Sequence, residues 1–181
     1  LSFFALALTV TADEGMWLFD QFPAAQVAKV YGVKVTPEML DKLRLASVRM
    51  NSGGSGSIVS PSGLVFTNHH VAADCIQKVS SAQNDYMANG FLAKVQAEEK
   101  ACPDEEVNIL VRIEDVTAQI EKAAPAGTPT AQVSKLEKAE MTRLEKQCGD
   151  KNGNRCDVVT LYSGGRYALY EYKKYTDVRL V

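Results

Sequence analysis

Histidine is scarce in this chain: the 181 residues hold only two, and the two are adjacent. A metal centre built mainly on imidazoles is therefore not expected. No CxxC pair occurs, and the four cysteines do not have the spacing of a zinc site. No long basic run is found and the net charge is -2, so a nucleic-acid partner is not expected, because phosphate binding needs clustered Lys and Arg. No apolar run reaches the ~20 residues that span a bilayer, so no membrane span is expected in the mature form. No internal repeat is visible.

What is present suits a globular chain. The apolar fraction of 46% is ordinary and can build a core. The length fits one domain or a large part of one. The first residues, LSFFALALTVTA, are apolar, uncharged and end in small side chains. Val10 and Ala12 fit the positions before a signal-peptidase cut, with Asp13 as the mature start. With no basic segment or initiator Met before it, this stretch reads as the back half of a secretory signal. The expected division is a leader remnant at 1–12 and a domain at 13–181. The alternative for 1–12 is a buried strand or helix.

Export implies an oxidising compartment, which makes Cys75, Cys102, Cys148 and Cys156 candidate disulfide partners. Four cysteines allow three pairings. Cys148 and Cys156 flank GDKNGNR, a turn-forming loop they could staple, and that leaves Cys75 with Cys102. Buried free thiols are the alternative.

Along the chain, FPAAQVAKVYG predicts a brief helix ending at Gly32. Thr36, Pro37 and Glu38 form a helix start, with the threonine as cap and the proline at the first helical position. Met39, Leu40, Leu43, Ala46 and Val48 supply its apolar face, and the helix is expected to stop at the 51–54 NSGG. GSGSIVS and LVFTNHHV, around Pro61-Ser62-Gly63, predict a hairpin. Residues 81–99 read as a polar helical stretch, 107–113 as a strand and 124–130 as a loop. Pro129 opens a long charged helix, AQVSKLEKAEMTRLEKQ, whose Glu and Lys spacing suits a solvated face. CDVVTLY and RYALYEYKKY, around Ser163-Gly164-Gly165, predict a second hairpin with cross-strand aromatic pairs. Its tyrosine stripe suits packing better than ligand binding. The last residues, TDVRLV, look like an interrupted strand, which suggests truncation.

The adjacent His69 and His70 close the first hairpin. On a strand they would face opposite ways, so they would not readily grip one ion. Histidine is the natural proton shuttle near neutral pH, and a ring at a strand end could be presented to a cleft. Ordinary structural roles for both rings stay open on spacing alone.

The pattern GGS, strand, turn, apolar strand, then T-x-x-H resembles the chymotrypsin-type serine proteases. Thr67-Asn68-His69-His70 matches the segment that delivers their catalytic histidine, which falls on His70. DEGMW, GLVFTNHHV, DYMANGF, the 114–117 EDVT and LYSGGRYALYEYKKYTDVRLV narrow the likeness. Together they resemble the dipeptidyl-peptidase 7 and 11 family of bacterial serine exopeptidases over most of 13–181. The resemblance implies a mainly β fold with added helices, here the N-terminal part of a chymotrypsin-like double β-barrel, incomplete in this chain. It implies dipeptide release from the free amino terminus of peptide substrates, with His70 as general base and no metal or organic cofactor. It also implies the disulfide pairing above, a location in the periplasm or on the cell surface of a bacterium, and a homodimer in the full-length protein. The family's catalytic aspartate and serine lie beyond residue 181, as do the groups that set side-chain preference. His70 alone carries over. The fragment by itself should be inactive. Ser55, in a Gly-rich setting, belongs to the strand pairing under this reading, and Asp74, Asp85 and Asp177 are structural or cap helices. Two rivals are a trypsin-like secreted endopeptidase and a non-catalytic binding module on the same barrel.

Overall fold

The computed structural model describes residues 16–181. The expected leader at 1–12 and the start at Asp13 lie outside the described residues. Helix α1 (Ala24–Tyr31) ends at Gly32, whose N–H bonds the Ala28 carbonyl. Helix α2 (Pro37–Ala46) opens as its sequence predicts: the Thr36 hydroxyl accepts from the Met39 N–H, with proline in the first turn. It is shorter than expected. The chain passes directly into strand β1 (Ser47–Met50), where Val48 and Met50 alternate inward. Val48 therefore belongs to a sheet with period two and not to the helical face assigned to it. Arg44 on α2 donates to the Leu110 carbonyl at 2.6 Å and clamps the helix to the sheet.

The predicted hairpin forms from β2 (Ser55–Ile58) and β3 (Val65–Thr67). Helix α3 (His69–Val79) follows at once. The stretch at 81–99 is largely irregular. It holds one short helix, α4 (Tyr86–Asn89), capped by Asp85 and ended at Gly90, and one 3₁₀ turn. Met87, Phe91 and Val95 keep a helical spacing, but Gly90 at φ +74 ends the helix before that face can form. Next come β4 (Lys100–Ala101), the long β5 (Val107–Asp115), α5 (Thr117–Ala123) and α6 (Thr130–Asn152). The second predicted hairpin is β6 (Arg155–Leu161) with β7 (Arg166–Tyr175), and β8 (Arg179–Leu180) pairs with β4.

Six strands form one antiparallel sheet in the order β3-β2-β1-β5-β7-β6. This is the antiparallel unit expected of a partial domain. Among the described residues no strand pairing closes it into a barrel. Helices contribute more residues than strands, chiefly through the 23-residue α6.

Two hydrophobic clusters pack against this sheet. Val116, Ile120, Leu144, Cys148, Tyr167 and Leu169 join α5 and α6 to β7. Val48, Met50, Val71, Val107 and Ile109 join α3 to β1 and β5. The Glu145 carboxylate on α6 accepts from the Val158 N–H at 2.7 Å, which satisfies a donor on the edge strand β6. The buried Glu171 accepts from Arg112, Asn152 and Asn154 and ties the end of α6 to β7. These three donors hold its carboxyl below the ordinary range.

Candidate active site

The hairpin β2–β3 is built for close approach. A Cβ on Gly56 would sit 2.7 Å from the Phe66 carbonyl, so only glycine lets the two strands meet there. Thr67 donates its hydroxyl to the Ser55 carbonyl at 2.8 Å and pins the far end of the hairpin. Ser55 lies in the ladder opposite Arg49, the strand-pairing position that the family resemblance implied.

The chain then turns into α3 instead of continuing as a strand. Asn68 holds an extended conformation and its carbonyl accepts from the Val71 N–H at 3.0 Å. His69 and His70 are consequently the first helical residues. The β-prone apolar run ahead of them predicts a strand end at these residues, but Asn68, a residue type favoured at helix starts, occupies the N-cap position. A helix turns about 100° per residue, so the two rings still point in different directions.

Both histidines are exposed, whereas Val71 and Cys75 are buried. Those two lie four residues apart, on one helical face. Val71 enters the core beside Val48, Met50, Val107 and Ile109. Cys75 forms a disulfide with Cys102, whose N–H donates to the Val178 carbonyl at 2.8 Å. The helix is thus fixed along its inner face and presents its first turn outward. The second disulfide joins Cys148 to Cys156, so both pairings match the sequence-based expectation.

The acidic residues near the motifs are engaged locally. Asp74 pairs with Lys78 at 2.8 Å, Asp85 accepts from the Ala88 N–H at 3.0 Å, and Asp177 pairs with Arg179 at 2.8 Å. Among the described residues no group of three or more His, Cys, Asp or Glu side chains is placed to hold a metal ion. Among them, no helix is long and apolar enough to cross a membrane.

One further feature was not legible in the sequence. A cavity of about 290 Å³ is lined by residues that include Trp17, Phe19, Arg49, Asn108, Tyr170 and Tyr172. The Asn108 side chain is buried, and neither amide atom has a hydrogen-bond partner among the described residues. The segment carrying Trp17 is pinned by the Asp20–Arg166 ion pair and by Tyr162, which donates to Gln21 at 2.6 Å. Residues from distant parts of the chain meet here, and no local pattern marks them. Of the tyrosine stripe, Tyr167 and Tyr172 are buried, Tyr170 and Tyr172 line this cavity, and Tyr162 and Tyr175 are exposed.

The Peptidase S46 family model matches residues 12–181. An Asp/Glu-specific dipeptidyl-peptidase of Porphyromonas endodontalis is 34% identical over 190 residues, covering 98% of this chain and 26% of that protein. A dipeptidyl-peptidase 7 of Phocaeicola vulgatus is 31% identical over 187 residues, covering 94% of this chain and 25% of its own length. The crystal structure of Porphyromonas endodontalis DPP11 in complex with substrate superposes with a TM-score of 0.77 at 34% identity, over 93% of this chain and 26% of that one. The chain thus spans about a quarter of the length of the curated relatives it matches.

Proposed function

This chain belongs to the peptidase S46 family, and from that premise we propose that it is the N-terminal part of a serine-type dipeptidyl-peptidase whose general base is His70. The observation that carries the reading is the setting of that residue. His70 is an exposed imidazole at the start of a helix whose inner face is locked by Val71 and by the Cys75–Cys102 disulfide. A general base must be both reachable and held in place.

In the full-length protein a serine beyond residue 181 attacks the scissile carbonyl. His70 takes its proton and returns it to the leaving amine. An aspartate, also beyond residue 181, orients the ring, and backbone N–H groups stabilise the oxyanion. The products are a dipeptide from the free amino terminus and a shortened peptide. The site belongs to a catalytic domain that starts at Asp13, after a leader ending at Ala12. The protein is exported to the periplasm or cell surface of a bacterium and works as a homodimer. The two disulfides support export, because such bonds persist in oxidising compartments.

The test is peptide hydrolysis by the full-length protein. His70→Ala should abolish turnover, while His69→Ala should retain part of it. General-base assistance alone is worth about 10²–10⁴ in rate. Wild-type-like rates for both variants would refute the assignment. Mass spectrometry of a peptide with a free amino terminus should show stepwise dipeptides. Internal cleavage of an amino-blocked peptide would instead indicate an endopeptidase, and no cleavage of either would indicate a binding module.

A further inference from the structure

We infer that Gly54 and Val71 are positioning residues for His70, so that the turn before the hairpin sets where the imidazole stands. The inference rests on His70 being the general base. Gly54 has φ +102, and a Cβ added there would lie 2.6 Å from Val71 Cγ2 and 3.2 Å from Cγ1. Neither partner can easily yield. The Gly54 carbonyl accepts from the Met50 N–H at 3.2 Å, and the Gly53 N–H donates to the Met50 carbonyl at 3.3 Å, which closes the turn onto β1. Val71 is only 7% exposed and sits among Val48, Met50, Val107 and Ile109. It has no room to move deeper into a packed core.

The yielding element is therefore the first turn of α3. Its next anchor on that face is Cys75, one helical turn further on and tied to Cys102. A methyl group at position 54 tilts the helix about that anchor, and His70, bonded directly to Val71, moves with it. Ordinary van der Waals contact begins at 3.4 Å, so the displacement required is on the order of 1 Å. A misplacement of that size in a reacting group is worth about 10²-fold in rate.

The test uses the full-length enzyme with four variants beside His70→Ala. Gly54→Ala should lower kcat by about 10²-fold with KM little changed. Gly53→Ala is the control: it sits at φ +94 with nothing within 4 Å of the added Cβ, so it carries the same backbone strain without the contact. It should keep kcat near wild type. Val71→Ala alone should lower kcat several-fold by loosening the anchor. In Gly54→Ala/Val71→Ala the colliding carbons are gone, and kcat should recover to the level of Val71→Ala.

Wild-type kcat in Gly54→Ala, an equal loss in Gly53→Ala, or no recovery in the double variant each overturns the inference. Should Gly54→Ala fail to fold, an unchanged kcat in Val71→Ala overturns it and a reduced kcat with unchanged KM sustains it. His70→Ala separates the two levels. Its full activity removes the general-base reading itself. Its inactivity alongside a normal Gly54→Ala removes only the positioning role.

Discussion

The two disulfides close loops of different length in different places, and their removal should separate stability from activity. Cys75 and Cys102 are 27 residues apart in sequence, and Cys148 and Cys156 are 8 apart. In the chain-entropy account, closing the longer loop is worth about 3.5 kcal/mol and closing the shorter one about 2.5 kcal/mol. Paired replacement by alanine should therefore cost about 1 kcal/mol more at the first bridge than at the second. The functional contrast should be larger. Cys75–Cys102 holds the inner face of α3, which carries His70, whereas Cys148–Cys156 joins α6 to β6 around the other core. The measurement is urea-dependent hydrogen exchange of the β1, β5 and α6 amides in the full-length protein, with kcat and KM on a dipeptide-releasing substrate. Cys75→Ala/Cys102→Ala should lose local protection and kcat together. Cys148→Ala/Cys156→Ala should lose protection around α6 and keep kcat. Equal effects of both pairs on kcat would mean that the bridge at α3 does not hold the site, and the reasoning would fail.

Two further outcomes follow from the carboxylates of Glu171 and Asp115. Glu171→Ala strips Arg112, Asn152 and Asn154 of their shared acceptor and should destabilise the α6–β7 unit by about 3 kcal/mol, read from the denaturation midpoint. Acid should also weaken the fold. Asp115 is lowered from 3.8 to about 2, first by the Thr117 N–H and then by the Thr117 hydroxyl and Arg166. Glu171 is lowered by Asn154 and Arg112. A depressed folded-state pKa stabilises fully above the unfolded value and is lost as pH falls through the folded one. Stability should therefore be flat above about pH 5 and fall towards pH 2. In Asp115→Asn the fall should be shallower, as measured by thermal melts across that range.

Much of the local order could be read from the chain. Thr36-Pro37 starts a helix because a hydroxyl acceptor and a proline satisfy the same unpaired end. Pro61-Ser62-Gly63 makes a turn because proline and glycine favour one, whereas at Ser163-Gly164-Gly165 only Gly164, at φ +98, takes its conformation freely and Tyr162 and Ser163 are held at positive φ by the fold. Cys148 and Cys156 flank a loop short enough to staple. The end of α2 could not be read, because Val48 extends a helical apolar spacing yet finds its partners across β5. The start of α3 was missed for a related reason. Asn68 is of a type favoured at helix starts, but the β-prone run leading into it competes with that signal, and the burial of Val71 and Cys75 on one helical face decides for the helix.

By itself, the sequence determined which residues could do chemistry: two adjacent histidines after a glycine-rich hairpin, and four cysteines with a plausible pairing. Only the tertiary structure decided how they are held. The Gly54–Val71 approach, the bridge from α3 to Cys102, the cavity over Asn108 and the buried Glu171 join residues far apart in the chain. Contacts of that kind arise when separate elements pack, and short-range preferences carry no record of them.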